Sequence, residues 1–233
     1  MNEKKQKILT DIKDGLIVSC QAREGWPMYG ADIMAAFATA AEQGGAIGIR
    51  ANKPENIAAI KQKVRLPIVG INKVWDPDYS VYITPTYNSA AEVIAAGCDI
   101  VAIDATLRRR PNGETLPEII HHIKQNHPDV LIMGDVSTFE EGVKSVEYGV
   151  DIVSTTLAGY TEYTSHITGA DFALVERLAK ALETPVVAEG KIHDKEEARR
   201  MLELGAHAVV VGTAITRPEI ITRWFADEIK SCR

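Results

Sequence analysis

The stretch Ser89-Ala-Ala-Glu-Val-Ile-Ala-Ala-Gly-Cys-Asp-Ile-Val-Ala-Ile-Asp104 decides the fold. It opens on Ser89-x-x-Glu92, the spacing of a capping box, in which two side chains satisfy free backbone donors at a helix start. Helical residues then run to Gly97, a residue that can take the left-handed conformation at a helix end without steric cost. Ile100-Val-Ala-Ile103 follows, a short unbroken apolar run rich in β-branched residues, with Asp104 directly after it. A strand wet on one face alternates apolar and polar residues. A strand without alternation is buried on both faces, as parallel strands between helices are.

The same unit recurs along the chain. Gly45, Gly97, Gly149 and Gly205 each end a helical pattern just before a strand, at intervals of 52, 52 and 56 residues. Ser137-x-x-Glu140 and Asp194-x-x-Glu197 repeat the start signal, and Asn52-Lys-Pro-Glu55 is a related one. Buried-strand runs stand at Leu16–Cys20, Ala46–Ile49, Pro67–Ile71, Ile100–Ile103, Val130–Met133, Val150–Val153, Pro185–Ala188 and Ala208–Val211. Each interval holds two strands and two helices, so the chain reads as four quarters of βαβα. Eight βα units in 233 residues, with no linker or composition break, predict a closed (β/α)₈ TIM barrel. The expected unit is one barrel domain over 1–233 with a short N-terminal helix.

Composition narrows the function. A chain with 45% hydrophobic residues is not disordered, and three cysteines without CxxC spacing do not make a disulfide scaffold. The net charge of −6 supports neither a nucleic-acid nor an anionic-membrane surface. No apolar run nears the ~20 residues of a membrane span. Met1-Asn-Glu-Lys-Lys-Gln-Lys leads into no secretory core, so a cytoplasmic protein is expected. His121 and His122 point apart on a helix, and His127, His166, His193 and His207 have no ligand spacing, so no metal is expected.

In such a barrel the chemistry sits at the carboxyl ends of the strands. The polar residues there are Gln21, Arg50, Lys73, Asp104, Asp135, Thr155 with Thr156, Glu189, and Gly212 with Thr213. A polar residue in that place also serves to cap the next helix, and for Asp104 and Thr156 both readings stand. The last two loops, Ala188-Glu-Gly-Lys191 and Val211-Gly-Thr-Ala-Ile-Thr-Arg-Pro218, are where phosphate-binding barrels hold a phosphoryl group. Gly190 and Gly212 let backbone N–H groups approach an anion, and Thr213 opens the following short helix. Lys191 and Arg217 would add charge, Arg217 as a two-pronged donor. A phosphorylated small molecule is the expected substrate class.

Lys73 in water, with a pKa near ~10.4, is a poor base at neutral pH. Burial and a neighbouring Arg50 would bring it towards ~7–8, where an amine can take a proton from carbon or attack a carbonyl. Glu189 offers a second proton carrier on another strand. The pair suits isomerisation, epimerisation or aldol cleavage, and residue chemistry does not choose among them.

Cys20-Gln-Ala22, Gly44-Gly-Ala-Ile-Gly-Ile-Arg-Ala-Asn52, Ile83-Thr-Pro-Thr86, Ala102-Ile-Asp-Ala-Thr106, Ala188-Glu-Gly-Lys-Ile192 and Val211-Gly-Thr-Ala-Ile-Thr-Arg-Pro-Glu219 resemble, in order, the N-acetylmannosamine-6-phosphate 2-epimerase family. The resemblance implies a ribulose-phosphate-binding-like barrel of bacterial sialic-acid breakdown. Its activity would be C2 inversion between N-acetylmannosamine 6-phosphate and N-acetylglucosamine 6-phosphate, without cofactor or metal. It implies Lys73 and Glu189 as the catalytic pair and Gln21, Arg50, Asp135 and Thr156 as sugar contacts. Gly190, Lys191, Gly212, Thr213 and Arg217 would form the phosphate grip. The chain departs from the family at Asn72, Val74-Trp-Asp-Pro77, Lys191 and Arg23-Glu-Gly-Trp-Pro-Met-Tyr29, which bears on substrate preference. A Schiff-base aldolase, trappable by borohydride on Lys73, uses the same residues, and a non-catalytic sugar-phosphate-binding barrel is the reading from outside enzymology.

The remaining features have plainer readings. Arg108-Arg-Arg110 reads as a solvated charge run, and Cys20 as a small buried hydrophobe. Trp26 and Trp75 either line the mouth or pack beside it. Trp224 and Phe225, at helical spacing with Ile220 and Ile221, read as a core face. A homodimer is the expected assembly on general grounds, since closed twofold pairs are the commonest oligomers.

Overall fold

The computed structural model describes residues 2–232. Eight parallel strands close on themselves in sequence order: β1 Leu16–Cys20, β2 Gly48–Asn52, β3 Ile68–Ile71, β4 Ile100–Asp104, β5 Leu131–Asp135, β6 Ile152–Ser154, β7 Val186–Glu189 and β8 Ala208–Val211. Closure is made by β1, which pairs Ile17 with Gly48 on one side and with Val210 of β8 on the other. The expected (β/α)₈ barrel is present. Its outer ring is α2 Ala31–Gln43, α3 Pro54–Lys61, α4 Tyr87–Ala95, α5 Leu116–Asn126, α6 Phe139–Tyr148, α7 Phe172–Ala181 and α8 Lys195–Glu203. A short α9, Thr213–Thr216, and a longer α10, Pro218–Ser231, follow the last strand.

Every second strand residue faces inward, which divides the core into two shells. Ile17, Val69, Ile100, Leu131, Met133, Val187 and Val210 fill the barrel interior. Val18, Ile49, Ile68, Val101, Ile132 and Val153 face the helices. The N-terminal helix α1, Glu3–Asp11, places Ile8, Leu9 and the following Ile12 in the interior cluster. It closes the amino end of the barrel, so the opposite end is the open mouth. Each fully buried isoleucine in these shells contributes roughly 1.5–3 kcal/mol relative to exposure.

Several sequence boundaries move, for physical reasons. The second strand starts at Gly48 and continues through Arg50 to Asn52, and β4, β5 and β7 likewise take in Asp104, Asp135 and Glu189. Hydropathy ends a strand at its first charge, whereas here those charges are interior and stay in the ladder. Gly45, Gly97, Gly149 and Gly205 all have positive φ, between 93° and 100°. Ser89 is not the cap of α4; Thr86 caps it, and Ser89 sits three residues later as the reciprocal partner. The cap of α6 is Thr138 with Glu141, one residue beyond the expected pair, while the N–H and hydroxyl of Ser137 also donate to Glu141. Asn52 belongs to β2, and α3 starts on Pro54. Asp194 does cap α8, accepting from the Glu197 N–H at 2.8 Å.

Two plainer readings are corrected. Arg108 and Arg110 are not solvated: Arg108 donates to the buried Asp104 carboxylate at 2.7 Å, and Arg110 reaches the Asp104 carbonyl. Only Arg109 of the run is exposed. Trp224 and Phe225 are not core, being 39% and 68% exposed on a helix with no buried residue. Periodicity revealed an apolar face on α10 without saying what lies against it. Among the described residues no helix is long and apolar enough to cross a membrane.

Candidate active site

The residues that end the strands converge on a cavity of about 280 Å³ at the mouth. Lys73 enters it from the segment after β3. Its backbone N–H donates to the Asn52 side-chain carbonyl at 2.9 Å, and it pairs with Ile83 in an isolated antiparallel bridge. Asn72 beside it is buried, donating its backbone N–H to Thr84 Oγ1 and its side-chain amide to Glu92. Asn72 thus fixes the base of the lysine and does not line the cavity. Thr84 holds φ at 44°, an uncommon conformation for a threonine that the surrounding bonds sustain.

The Lys73 ammonium has no hydrogen-bond or ion-pair partner among the described residues and lies 5.9 Å from the centroid of the Tyr82 ring. Burial, then the positive charge of Arg50, lowers its pKa to about 8, against an opposing pull from Glu189. At that value roughly a tenth of the amines are neutral at pH 7. Arg23, from the loop after β1, adds to the lowering.

Arg50 and Asp135 form a fork beneath the cavity floor. Nη2 donates to Oδ2 at 2.6 Å and Nη1 to Oδ1 at 3.2 Å, with both side chains buried. The same Nη1 lies 3.1 Å from Glu189 Oε2. Burial alone would lower the guanidinium pKa, but the two carboxylates outweigh it and hold Arg50 charged. Glu189 is pushed upward, mainly by burial and also by Asp135, against the pull of Arg50. Thr156 donates or accepts at both carboxylates, 2.8 Å from Asp135 Oδ1 and 2.9 Å from Glu189 Oε2.

The expected residues thus sort into two groups. Gln21, Arg50, Lys73, Thr156, Glu189, Gly190, Lys191, Gly212, Thr213 and Arg217 line one cavity. Asp135 does not; it lies below Arg50 as that residue's counter-charge. Asp104 also stays out of the cavity, fully buried and bonded to Thr106 and Arg108. Lys191 is already engaged, its ammonium donating to the carbonyls of Gly159 and Ile167. A side chain at position 159 would collide with that ammonium, so glycine there permits the tie between the loops after β6 and β7. Arg217 donates to Glu219 at 2.7 Å and lies 3.6 Å from the Trp26 ring centroid.

Tyr82 and Tyr160, which lie outside the quoted motifs, also line the cavity, as does Arg23, the first residue of the unusual Arg23–Tyr29 loop. Trp26 is a lining residue, and Trp75 stacks on Tyr82 with centroids 4.2 Å apart while Arg23 lies 4.4 Å above it. An aromatic beside the quoted Ile83–Thr86 string was the available signal for Tyr82. The other contacts are tertiary and left no local trace. Cys20 is fully buried, and burial pushes its thiol up to about 12, so it is packing rather than a nucleophile.

Residues 34–231 match the family model described as "Putative N-acetylmannosamine-6-phosphate epimerase". A relative from Caldanaerobacter subterraneus subsp. tengcongensis, described as "Putative N-acetylmannosamine-6-phosphate 2-epimerase", is 51% identical over 97% of this chain and 95% of its own. One of the same description from Clostridioides difficile is 49% identical over 96% of this chain and 99% of its own. The solved structure of the N-acetylmannosamine-6-phosphate 2-epimerase from Clostridium perfringens superposes with a TM-score of 0.91 at 44% identity, covering 94% of this chain and 95% of that one. With the whole barrel and its mouth shared in this way, the chain belongs to the N-acetylmannosamine-6-phosphate 2-epimerase family.

Proposed function

We propose that the chain is an isomerase interconverting N-acetylmannosamine 6-phosphate and N-acetylglucosamine 6-phosphate by removing and returning the proton on C2. The observation that carries this reading is the unpartnered Lys73 amine, brought to about 8, opening into the same cavity as Glu189. A cyclic amino sugar has no acidic C2 proton until the ring opens to the aldehyde. Glu189 performs that step by giving a proton to the ring oxygen from one carboxyl oxygen and taking the anomeric hydroxyl proton at the other. The C1–O5 bond breaks, C1 becomes a carbonyl, and the proton count on Glu189 is unchanged.

Neutral Lys73 then removes the C2 proton, now adjacent to a carbonyl, and becomes an ammonium. The electron pair moves to the C1 oxygen as an enolate, which the fixed charge of Arg50 stabilises where it develops. When the open chain turns about C2–C3 it presents its other face, and the Lys73 ammonium returns a proton to C2. The enolate collapses to the C1 carbonyl, the amine is neutral again, and ring closure through Glu189 gives the epimer. Gln21 and Thr156 lie beside this region, Gln21 with its amide nitrogen held by Ser19 Oγ at 2.7 Å. The phosphate, gripped at Gly190, Gly212, Thr213 and Arg217, is remote from C2. Its binding energy orients the sugar and lowers the entropic cost of reaching the transition state.

Proton NMR of N-acetylmannosamine 6-phosphate with the protein in D₂O tests the reading. The expected result is appearance of N-acetylglucosamine 6-phosphate together with loss of the C2 proton signal from both sugars. Turnover with C2 fully protonated, or no turnover at all, rejects it.

The phosphate grip has its own signature. Arg217→Ala removes a charge-assisted contact worth about 1.5–3 kcal/mol, equal to a roughly 10- to 100-fold rise in KM with a smaller change in kcat. Steady-state kinetics on the sugar phosphate measure both. An unchanged KM would place the phosphate elsewhere.

A further inference from the structure

The Thr156 hydroxyl oxygen has three oxygen neighbours: Ser154 Oγ at 2.9 Å, Asp135 Oδ1 at 2.8 Å and Glu189 Oε2 at 2.9 Å. A hydroxyl carries one hydrogen and two lone pairs, and an ionised carboxylate can only accept. Thr156 therefore cannot serve two ionised carboxylates at once. With both ionised, one contact would set lone pair against lone pair at hydrogen-bonding distance, in a floor nearly closed to water.

The count closes when one carboxyl holds a proton and donates it to Thr156, Thr156 donates to the other, and Ser154 donates its own hydrogen to Thr156. Asp135 is the ionised member, because the Arg50 fork takes both of its oxygens and the side chain is fully buried. Glu189 meets one guanidinium nitrogen, at 3.1 Å, and opens to the cavity with a side chain 13% exposed. The groups facing Glu189 are Arg50 from β2, Lys73 after β3, Asp135 from β5, and Thr156 and Tyr160 after β6. We propose that Thr156 is a positioning residue whose single hydrogen, committed to Asp135, obliges Glu189 to hold a proton in the resting site.

A neutral Lys73 and a protonated Glu189 can then coexist, so that base and acid are both ready before the sugar arrives. The proton count stands on geometry alone; the use made of that proton rests on the epimerase reading. When Glu189 passes its proton on, the Thr156 hydrogen swings from Asp135 to the new carboxylate, a rotation about one bond.

Infrared difference spectroscopy of wild type against Glu189→Gln tests this without any turnover. A protonated-carboxyl band is expected at neutral pH in the wild type and is lost in Glu189→Gln. In Thr156→Val the protonated form loses its acceptor, so the band titrates away about one pH unit lower, a tenfold weaker hold on the proton. Thr156→Ser, which keeps the hydroxyl, retains the wild-type midpoint. Absence of the band in the wild type overturns the proposal, and so does a Thr156→Val midpoint that is unchanged or higher, as a simple donor to an ionised Glu189 would give. A band that behaves as expected in a protein that does not epimerise would reject the functional reading alone.

Discussion

Lys73→Ala is expected to abolish exchange of the C2 proton with solvent deuterium while leaving sugar-phosphate binding in place. A positioned base contributes roughly 10²–10⁴-fold to such a step, and Lys191, the other lysine lining the cavity, is tied to the carbonyls of Gly159 and Ile167. Lys73→Arg is no rescue, because a guanidinium does not deprotonate at working pH. In the wild type kcat/KM should rise with pH through about 8 as the amine loses its proton, since burial and Arg50 disfavour its charge. The same shift bears on stability. The folded protein binds this proton more weakly than the unfolded chain, so stability rises with pH from about 8 towards the ordinary lysine value of 10.5. Below about 8 the folded state carries a penalised charge. Lys73→Met is therefore expected to melt at a higher temperature than the wild type at neutral pH while having no activity. Retained deuterium exchange in Lys73→Ala, or a Lys73→Met that melts lower, would remove this lysine from the role given to it.

Much of this architecture was legible because the barrel writes itself twice per interval. Buried parallel strands suppress alternation, and helix ends need a residue tolerant of positive φ, so Gly45, Gly97, Gly149 and Gly205 mark the joints. The strand-end rule then picks out Lys73, Glu189 and Arg50, which line one cavity. Asp135, picked out by the same rule, ends beneath the cavity lining, because position along a strand does not say how far below the mouth a side chain ends. Asp135 pairs in register with Asp104 of β4, and both are fully buried carboxylates that hold arginines rather than face the cavity.

The misreadings share a cause. A run of three arginines looks solvated from sequence because nothing local shows that the Asp104 carboxylate and carbonyl will meet two of them. Arg23, Trp75 and Tyr82 form a cation–aromatic stack from two loops that sequence separates by some fifty residues. Loops have no hydropathy period, so neither the stack nor its effect on Lys73 could be read in advance. Thr156 lines the cavity, and its contacts to carboxylates on β5 and β7 are tertiary in the same way, with no local trace in the sequence.

Arg50→Met is expected to give the largest loss of stability at this site. Methionine fills similar volume, but it leaves Asp135 buried without a counter-charge and takes from Glu189 its nearest cation. Breaking a buried pair by removing one partner costs about 3–5 kcal/mol, because the remaining charge stays desolvated. For a chain of this size that corresponds to a fall in Tm of roughly 6–20 °C. The stranded carboxylate can escape its penalty by taking up a proton, so the deficit should shrink on acidification and be largest at neutral pH. Adding Asp135→Asn removes the stranded charge, so the double variant should melt above Arg50→Met alone, the non-additivity expected of contacting residues. Activity should not return with stability, because the cation that faces the developing enolate is absent from both variants. Thermal melts across pH, with kcat measured on the same samples, separate the two effects. If Arg50→Met melts within a degree or two of wild type at neutral pH, the fork with Asp135 does not hold the floor of this site together. If the double variant regains activity, Arg50 has no electrostatic part in the chemistry.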